Sequence, residues 1–235
     1  VMKKKLTSIL LFLFVAGSSV AQDAPSMFAV YESHVKPSMD ATYQEAVKKF
    51  KATCQQQKMT FTWHAGVLDD NSYIYLVPMK NFADLDKNMF ADLEAKIGKE
   101  AMASQWQAMD KCVESQTSSV TLFVPGSSYL SPAPDDYFRD VLYWIPEAGK
   151  EAEAEKLIAE WLKLYTGKKA PNGFQVYRNI FGGEGGYVFV SWGKNAADHA
   201  AKAQKSNELF GEEGSKLWAK TLLITRKYYT RTGWL

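Results

Sequence analysis

Hydrophobic positions in the first half of the chain switch between a period of two and a period near 3.6. β-branched and aromatic residues at 27–35 predict a strand, whereas Tyr43, Val47 and Phe50 fall on one face of a helix. The same two patterns predict, in order, strand 27–35, helix 41–57, strands 60–68 and 73–79, helical segments within 82–114 interrupted at Gly98, and strand 120–125. This βαββαβ order is that of a ferredoxin-like unit.

The second half repeats the order of the first. Segment 187–195 echoes 73–81 at a separation of 114 residues, and 174–180 lines up with 61–67 at a separation of 113. The elements predicted there are strand 138–145, helix 150–165, strands 174–181 and 187–192, helical segments 196–210 and 215–223, and strand 224–230. Two copies of about 100 residues indicate a duplicated domain, because solenoid repeats run only ~20–50 residues.

A single ferredoxin-like sheet covers only one face with its helices. Strand 73–79 is nevertheless apolar on both faces, so the second face also needs a partner. We therefore expect an α+β protein in which two tandem ferredoxin-like βαββαβ units pack sheet to sheet as a pseudo-dimeric α+β barrel. The expected divisions are a signal peptide at 1–21, a first repeat at 22–126, a linker at 127–135 and a second repeat at 136–235.

Two strand-then-helix passages, 73–86 and 187–201, carry a family resemblance. Each is followed by a broken second helix that bears a tryptophan, Trp106 or Trp218. This arrangement resembles the dimeric α+β-barrel superfamily, which includes antibiotic-biosynthesis-type monooxygenases, NIPSNAP-type domains and haem-handling relatives. The resemblance implies the fold and leaves the activity open among cofactor-free oxygenases, haem enzymes and domains without known activity.

The N-terminus has the pattern of an export signal. Three lysines, Lys3 to Lys5, precede an apolar core at 6–16, and small residues before Gln22 predict cleavage there. The apolar run is shorter than the ~20 residues of a membrane-spanning helix, which argues against a retained anchor. Removing the three lysines changes the net charge from +2 to 2 − 3 = −1. We expect a periplasmic or secreted protein, with no membrane in its mature form and no basic surface for nucleic acid.

A row of polar residues on the second strand of each copy is the leading candidate site. Thr62 and His64 share one strand face in the first copy, and Gln175, Tyr177 and Asn179 share the matching face in the second. Unpaired buried polar groups cost ~1–3 kcal/mol, so this row either lines a polar pocket or faces solvent at a sheet edge. His64 and Tyr177 are the candidates for catalysis, and the others are candidate ligand contacts.

Four further residues have two interpretations each. His34 and Trp144 end the first strands of the two copies and are candidate ligand contacts, or else a hydrogen-bonded histidine and a core tryptophan. None of the three histidines stands in a paired metal-ligand spacing, so no metal is expected. Cys54 and Cys112 form either a disulfide in an oxidising compartment or two buried thiols.

Three functional hypotheses remain open. The first is an exported protein that binds a small hydrophobic or aromatic ligand in a helix-over-sheet pocket. The second is a cofactor-independent monooxygenase or a haem-handling enzyme, and the third is a protein-interaction module without catalysis. No cofactor is expected, and haem is the one that the resemblance allows. Because one chain supplies both halves of the barrel, we expect a monomer.

Overall fold

The computed structural model describes residues 27–60, 63–130 and 136–234, and the predicted signal peptide at 1–21 lies outside these ranges. The first copy contains β1 (Met27–Val35), α1 (Asp40–Gln56), β2 (His64–Leu68), β3 (Ser72–Met79), α2 (Ala91–Ile97), α3 (Lys99–Asp110) and β4 (Val113–Phe123). The second copy contains β5 (Phe138–Pro146), α4 (Glu151–Lys168), β6 (Phe174–Gly182), β7 (Tyr187–Gly193), α5 (Ala196–Leu223) and β8 (Thr225–Trp234).

Matching residues begin and interrupt the second helical region of each copy. The side chains of Asn81 and Asn195 accept backbone N–H bonds from Ala83 and Asp198 at 3.0 and 2.9 Å, as N-cap residues do. Gly98 separates α2 from α3 at φ 88°, and Gly211 kinks α5 at φ 51°. The predicted interruption is therefore present in both copies, as a break in the first and as a kink in the second.

Two element boundaries differ from the prediction. The helical region ends at Asp110 rather than at 114, and β4 begins at Val113 rather than at 120. Residues 114–118 are polar and exposed, so the alternation that marks a strand is missing there. Within the described residues, β2 begins at His64, later than the predicted start at 60.

All eight strands form one closed antiparallel barrel in the order β1-β3-β2-β8-β5-β7-β6-β4. Each copy contributes a four-stranded sheet, β2-β3-β1-β4 or β6-β7-β5-β8, which is the ferredoxin-like order. The two sheets join along β4–β6, where Thr121 pairs with Asn179, and along β2–β8, where Val67 pairs with Trp234. The predicted pseudo-dimeric α+β barrel is confirmed.

The two ends of the barrel differ in their connections. The β2–β3 turn at 69–71 and the β6–β7 turn at 183–186 both lie at the end that we call the hairpin end. β1 and β5 begin at the opposite end, which we call the linker end. Gly186 at the second hairpin is constrained, because its φ is 82° and an added Cβ would lie 2.4 Å from the backbone oxygen of Trp144.

The helices cover the outer faces of the two sheets. In the second copy, buried Trp144, Leu157, Phe174 and Phe210 belong to one cluster between the sheet and α4 and α5. In the first copy, a separate cluster under α1 and α3 includes Cys54 and Cys112, and the structure has both as free buried thiols rather than a disulfide. No helix in the described ranges is long and apolar enough to cross a membrane.

Candidate functional site in the barrel lumen

A cavity of about 1230 Å³ lies inside the barrel. Every second residue of each strand faces it, for example Phe28, Val30, Glu32 and His34 along β1. An eight-stranded barrel is just wide enough either to be filled by its own side chains or to hold one small ligand. In this barrel the inward side chains leave an open cavity.

A smaller cavity of about 470 Å³ lies between α4 and the outer face of β4, β6 and β7. Glu155 and Ile158 of the helix and Val176 and Tyr187 of the sheet line it. It has the predicted helix-over-sheet position. The larger space is nevertheless inside the barrel, because aromatic side chains of the outer cluster fill most of the layer beneath the helices.

At the hairpin end of the lumen, a largely buried arginine joins three strands. Arg231 Nη2 of β8 lies 2.8 Å from Glu32 Oε1 of β1 and 2.9 Å from Asp70 Oδ1 in the β2–β3 turn. Glu32 also lies 3.2 Å from His34 Nε2, and His34 Nδ1 is 2.8 Å from Ser72 Oγ. The network links the two copies across their β2–β8 junction.

These contacts shift the pKa values of the arginine and the aspartate in opposite directions. Burial alone would lower the pKa of Arg231, but its hydrogen bonds with Glu32 and Asp70 outweigh burial and hold that pKa above its ordinary value. Burial alone would raise the pKa of Asp70, but the bonds from Arg231 and Ser72 lower it. Both groups are therefore charged at neutral pH.

Two stacked tyrosines lie next to these charged residues at the hairpin end. The rings of Tyr143 and Tyr229 are 4.7 Å apart and nearly parallel, and Arg231 lies over the first ring at 5.8 Å. Lys227 lies 4.8 Å over the second ring and forms a 2.7 Å ion pair with Glu184 of the β6–β7 turn. Both partners of that pair are half exposed, so the pair lies at the opening of the cavity.

The linker end is aromatic and carries a differently bonded arginine. Arg139 Nη1 donates to the backbone oxygen of Phe138 at 3.0 Å and to that of Asp136. Tyr177 lies beside it and donates its hydroxyl to Gln175 Oε1 at 3.2 Å. Burial lowers the pKa of Arg139, and electrostatic interactions with Asp136 and, once it ionises, with Tyr177 offset part of that effect.

Two polar atoms between these ends lack a hydrogen-bond partner. Thr121 Oγ1 and Asn179 Oδ1 are buried and make no hydrogen bond within the part of the chain that the structure describes. Their residues pair across the β4–β6 junction, both face the cavity, and Thr121 is only 7 % exposed. A buried hydroxyl or carbonyl without a partner costs about 1–3 kcal/mol, which a ligand donor would recover.

The predicted site residues separate into three groups. His64, Tyr177, Gln175 and Asn179 all line the lumen, so the polar row faces a pocket. His34 also lines it, at the hairpin end, with both ring nitrogens already in contact with Ser72 and Glu32. Thr62 lies outside the described residues.

Trp144 is not part of the lumen. It is 4 % exposed on the outer face of β5, and its Nε1 donates to Thr225 Oγ1 at 2.7 Å. Its place is the core beneath α4 and α5, which corrects its assignment as a ligand contact. Period-two alternation accounts for this, because the neighbouring Tyr143 and Ile145 face inward.

Sequence reasoning missed the charged residues of the lumen. Glu32, Arg139 and Arg231 each occupy an inward position of a strand on which aromatic residues also face inward. A charge at such a position was a signal available in the sequence, since Lys, Glu, Arg and Asp are rarely buried without a partner. Which face of each strand lines the lumen could be assigned only from the closed barrel of the structure.

Haem, which the resemblance allows, is not well accommodated by these residues. A haem iron needs an axial ligand such as histidine, but His34 Nδ1 and His199 Nε2 each lie 2.8 Å from a serine hydroxyl. His64 is exposed at the start of β2, and the layer beneath α4 and α5 is occupied by aromatic side chains. In the described ranges no group of three His, Cys, Asp or Glu residues could hold a metal ion. We derive no step through haem.

Comparisons with known proteins support the fold. No protein-family model matches the chain, and the search of curated proteins gives no match. Solved structures do match over most of the chain. A candidate monooxygenase from Lactobacillus acidophilus is 13 % identical, with a TM-score of 0.53 over 88 % of this chain and 92 % of that one.

Two further solved structures show the same relationship. An anthrone oxidase-like protein is 10 % identical, with a TM-score of 0.55 over 90 % of this chain and 92 % of that chain. A mutant chlorite dismutase from Candidatus Nitrospira defluvii is 10 % identical, with a TM-score of 0.51 over 89 % and 91 %. At these identities the likeness defines the fold class, and the expected resemblance to dimeric α+β-barrel proteins is confirmed at that level.

Proposed function

We propose that this protein is exported and binds a small, flat, largely apolar molecule inside the barrel, without chemistry of its own. The observation that carries the proposal is the hollow lumen, about 1230 Å³ in volume and lined by all eight strands. Ligand sites are typically concave, mostly apolar and supplied with a few polar groups that fix orientation. The aromatic wall of Phe28, Phe123 and Tyr177, with Arg139 lining the same cavity, matches that description.

Tyr177 supports binding over proton transfer. Burial raises the pKa of Tyr177 to about 12, so its phenol is neutral at pH 7 and suits hydrogen bonding better than general-base catalysis. His64, the other candidate for catalysis, is exposed at the start of β2.

Calorimetric titration with 1-naphthamide, a neutral flat aromatic probe, tests the proposal. We expect one molecule bound per chain. Val190→Trp, which places a bulky ring in the lumen, should abolish binding, whereas Glu155→Trp, which fills the smaller helix-over-sheet cavity, should leave it intact. The lumen would be refuted as the site if no compound in a panel of mono- and bicyclic aromatics binds. It would also be refuted if only Glu155→Trp loses binding.

A monooxygenase is the second candidate, favoured by the likeness to a candidate monooxygenase and to an anthrone oxidase-like protein. Both His64 and Tyr177 line the same cavity, as such an activity would need. Oxygen uptake with an anthrone as substrate, lost in His64→Ala or Tyr177→Phe, would support this function. If the protein binds the anthrone but takes up no oxygen, anthrone oxidation is excluded and a binding protein without catalysis is favoured.

A further inference from the structure

Some of the N–H donors of Arg139, at the linker end of the lumen, have no acceptor among the described residues. Its guanidinium donates to two backbone oxygens, those of Asp136 and Phe138. The nearby carboxylate of Asp136 is instead paired with Lys202 at 2.9 Å and is almost fully buried there. An arginine carries five N–H donors in a fixed fork, so two backbone acceptors do not saturate it.

No carboxylate forms an ion pair with this guanidinium among the residues that the structure describes, and Asp136 acts on it only through its charge. Arg139 forms no ion pair there, although it is half-buried and faces the cavity. Partial burial of a charge without a partner is unfavourable, and the lowered pKa of Arg139 has the same cause. An anionic ligand group would supply the missing countercharge.

An aromatic wall lies at the same end of the lumen as Arg139, and Tyr177 in this wall interacts electrostatically with the guanidinium. The ring of Tyr177 makes an edge contact with Phe28 at 6.2 Å and a tilted contact with Phe123 at 5.4 Å, measured between ring centroids. These three side chains come from β6, β1 and β4, so they curve around one side of the lumen. Such a surface accepts a flat ring by offset or edge-to-face contact.

The partnerless atoms lie further into the barrel from this wall. Asn179 follows Tyr177 by two residues on β6, which places it about 7 Å nearer the hairpin end. Thr121 pairs with it, and both Thr121 Oγ1 and Asn179 Oδ1 lack partners in the described ranges. A hydroxyl or amide group on the inner edge of a bound ring would satisfy them.

From this arrangement we propose that the ligand of the lumen is an aromatic carboxylic acid. Its carboxylate accepts hydrogen bonds from Arg139, its ring lies against Phe28, Phe123 and Tyr177, and a donor group on its far edge reaches Thr121 and Asn179. Guanidinium–carboxylate pairs form parallel, charge-assisted bonds, which gives both affinity and a fixed orientation. This inference rests on the proposed function and narrows its ligand class.

The test compares 1-naphthoic acid with 1-naphthamide, which have the same ring and differ in charge. We expect the wild-type protein to bind the acid about tenfold or more tightly than the amide, since hydrogen bonds between charged groups are stronger than those between neutral groups. Arg139→Gln should remove the preference for the acid but should still bind the amide. Continued binding of the amide would show that the variant is folded. Arg139→Lys, which keeps the charge, should retain part of the preference.

Arg178→Gln is the matched control. Arg178 follows Tyr177 on β6 but points outward to a surface ion pair with Glu155 at 3.1 Å, so its loss should leave the preference unchanged. Equal wild-type affinity for the two probes would overturn the aromatic-acid inference and leave binding in the lumen intact. Failure of both probes to bind wild-type protein would refute the proposed function together with the inference.

Discussion

The two ends of the lumen hold the same type of side chain in different surroundings. Arg231 at the hairpin end is paired with Glu32 and Asp70, and these bonds raise its pKa despite burial. Arg139 at the linker end donates only to backbone oxygens among the described residues, and burial lowers its pKa. Arg231 is thus held by two carboxylates, although its buried Nε has no partner in the described residues, whereas Arg139 has no carboxylate partner there.

The two copies differ from each other at an inward position of the linker end. Met27 pairs with Met79, and Phe138 pairs with Gly193, so the two first strands have matching registers. In these registers Phe28 and Arg139 are equivalent residues. The copies have diverged at an inward position, where a change of residue alters the site and leaves the sheet pairing unchanged.

The largest effect expected concerns the hairpin end. Arg231→Ala should lower the free energy of unfolding by about 3 kcal/mol or more, because it leaves Glu32 largely buried and without its main countercharge. Urea unfolding followed by circular dichroism measures this change. Arg178→Ala, which removes an exposed pair, should cost less than about 1 kcal/mol. Equal costs for the two variants would show that the hairpin-end network does not stabilise the fold.

The pH dependence of stability provides a second test, with a tyrosine at each end. Burial raises the pKa of both Tyr143 and Tyr177 to about 12 from an ordinary value of 10.0. Unfolded tyrosine ionises first, so this stabilisation is complete below about pH 10 and is lost as the pH rises towards 12, by up to about 1.4 kcal/mol per pH unit for each residue.

Unfolding measured between pH 9.5 and about 11.5 checks this expectation, a range chosen to bracket the ordinary tyrosine pKa. Tyr143→Phe and Tyr177→Phe should each flatten the fall in stability with pH. Tyr137→Phe, at a residue that is 61 % exposed, is the control and should not. An unchanged slope in both buried variants would contradict the assigned burial of the lumen tyrosines.

A smaller and stabilising effect is expected between the two ends. Thr121→Val removes a buried hydroxyl without a partner and should raise the free energy of unfolding by about 1 kcal/mol. The exposed Thr117→Val on the same strand should change it by less than about 0.5 kcal/mol. The first variant should also bind 6-hydroxy-2-naphthoic acid, whose hydroxyl lies on the edge far from its carboxylate, more weakly than wild type does. Destabilisation by Thr121→Val would indicate that the hydroxyl has a partner in the free protein.

The smallest stability change should come from the linker end. Arg139→Met removes a half-buried charge that has no carboxylate partner in the described residues, so lost backbone bonds and relieved desolvation should nearly cancel. We expect a change of less than about 1 kcal/mol in the free energy of unfolding. A loss as large as that of Arg231→Ala would show that the two arginines have the same structural role.

The sequence was sufficient for the repeated elements because their signals are local. Asn81 and Asn195 mark helix starts, and Gly98 and Gly211 mark the interruptions, each within a few residues of the feature that it determines. The start of β4 was not predicted, because residues 114–118 are polar on both faces. The barrel followed from a physical requirement, that an apolar sheet face must be covered.

The site was only partly predictable because its contacts are distant in sequence. The row of Gln175, Tyr177 and Asn179 was visible from alternation along one strand. The pairing of Arg231 with Asp70 spans 161 residues and depends on how β8 meets the β2–β3 turn. Whether the barrel is hollow depends on the summed volumes of inward side chains from eight strands, and no short segment of sequence contains that information.

The central claim is that the space inside the barrel is the ligand site. A crystal structure of the protein with bound 1-naphthoic acid tests it most directly. The account predicts electron density for the ring beside Phe28 and Tyr177, with the carboxylate at Arg139. Density between α4 and the outer face of β6, near Glu155 and Ile158, or a lumen filled by repacked side chains, would contradict it.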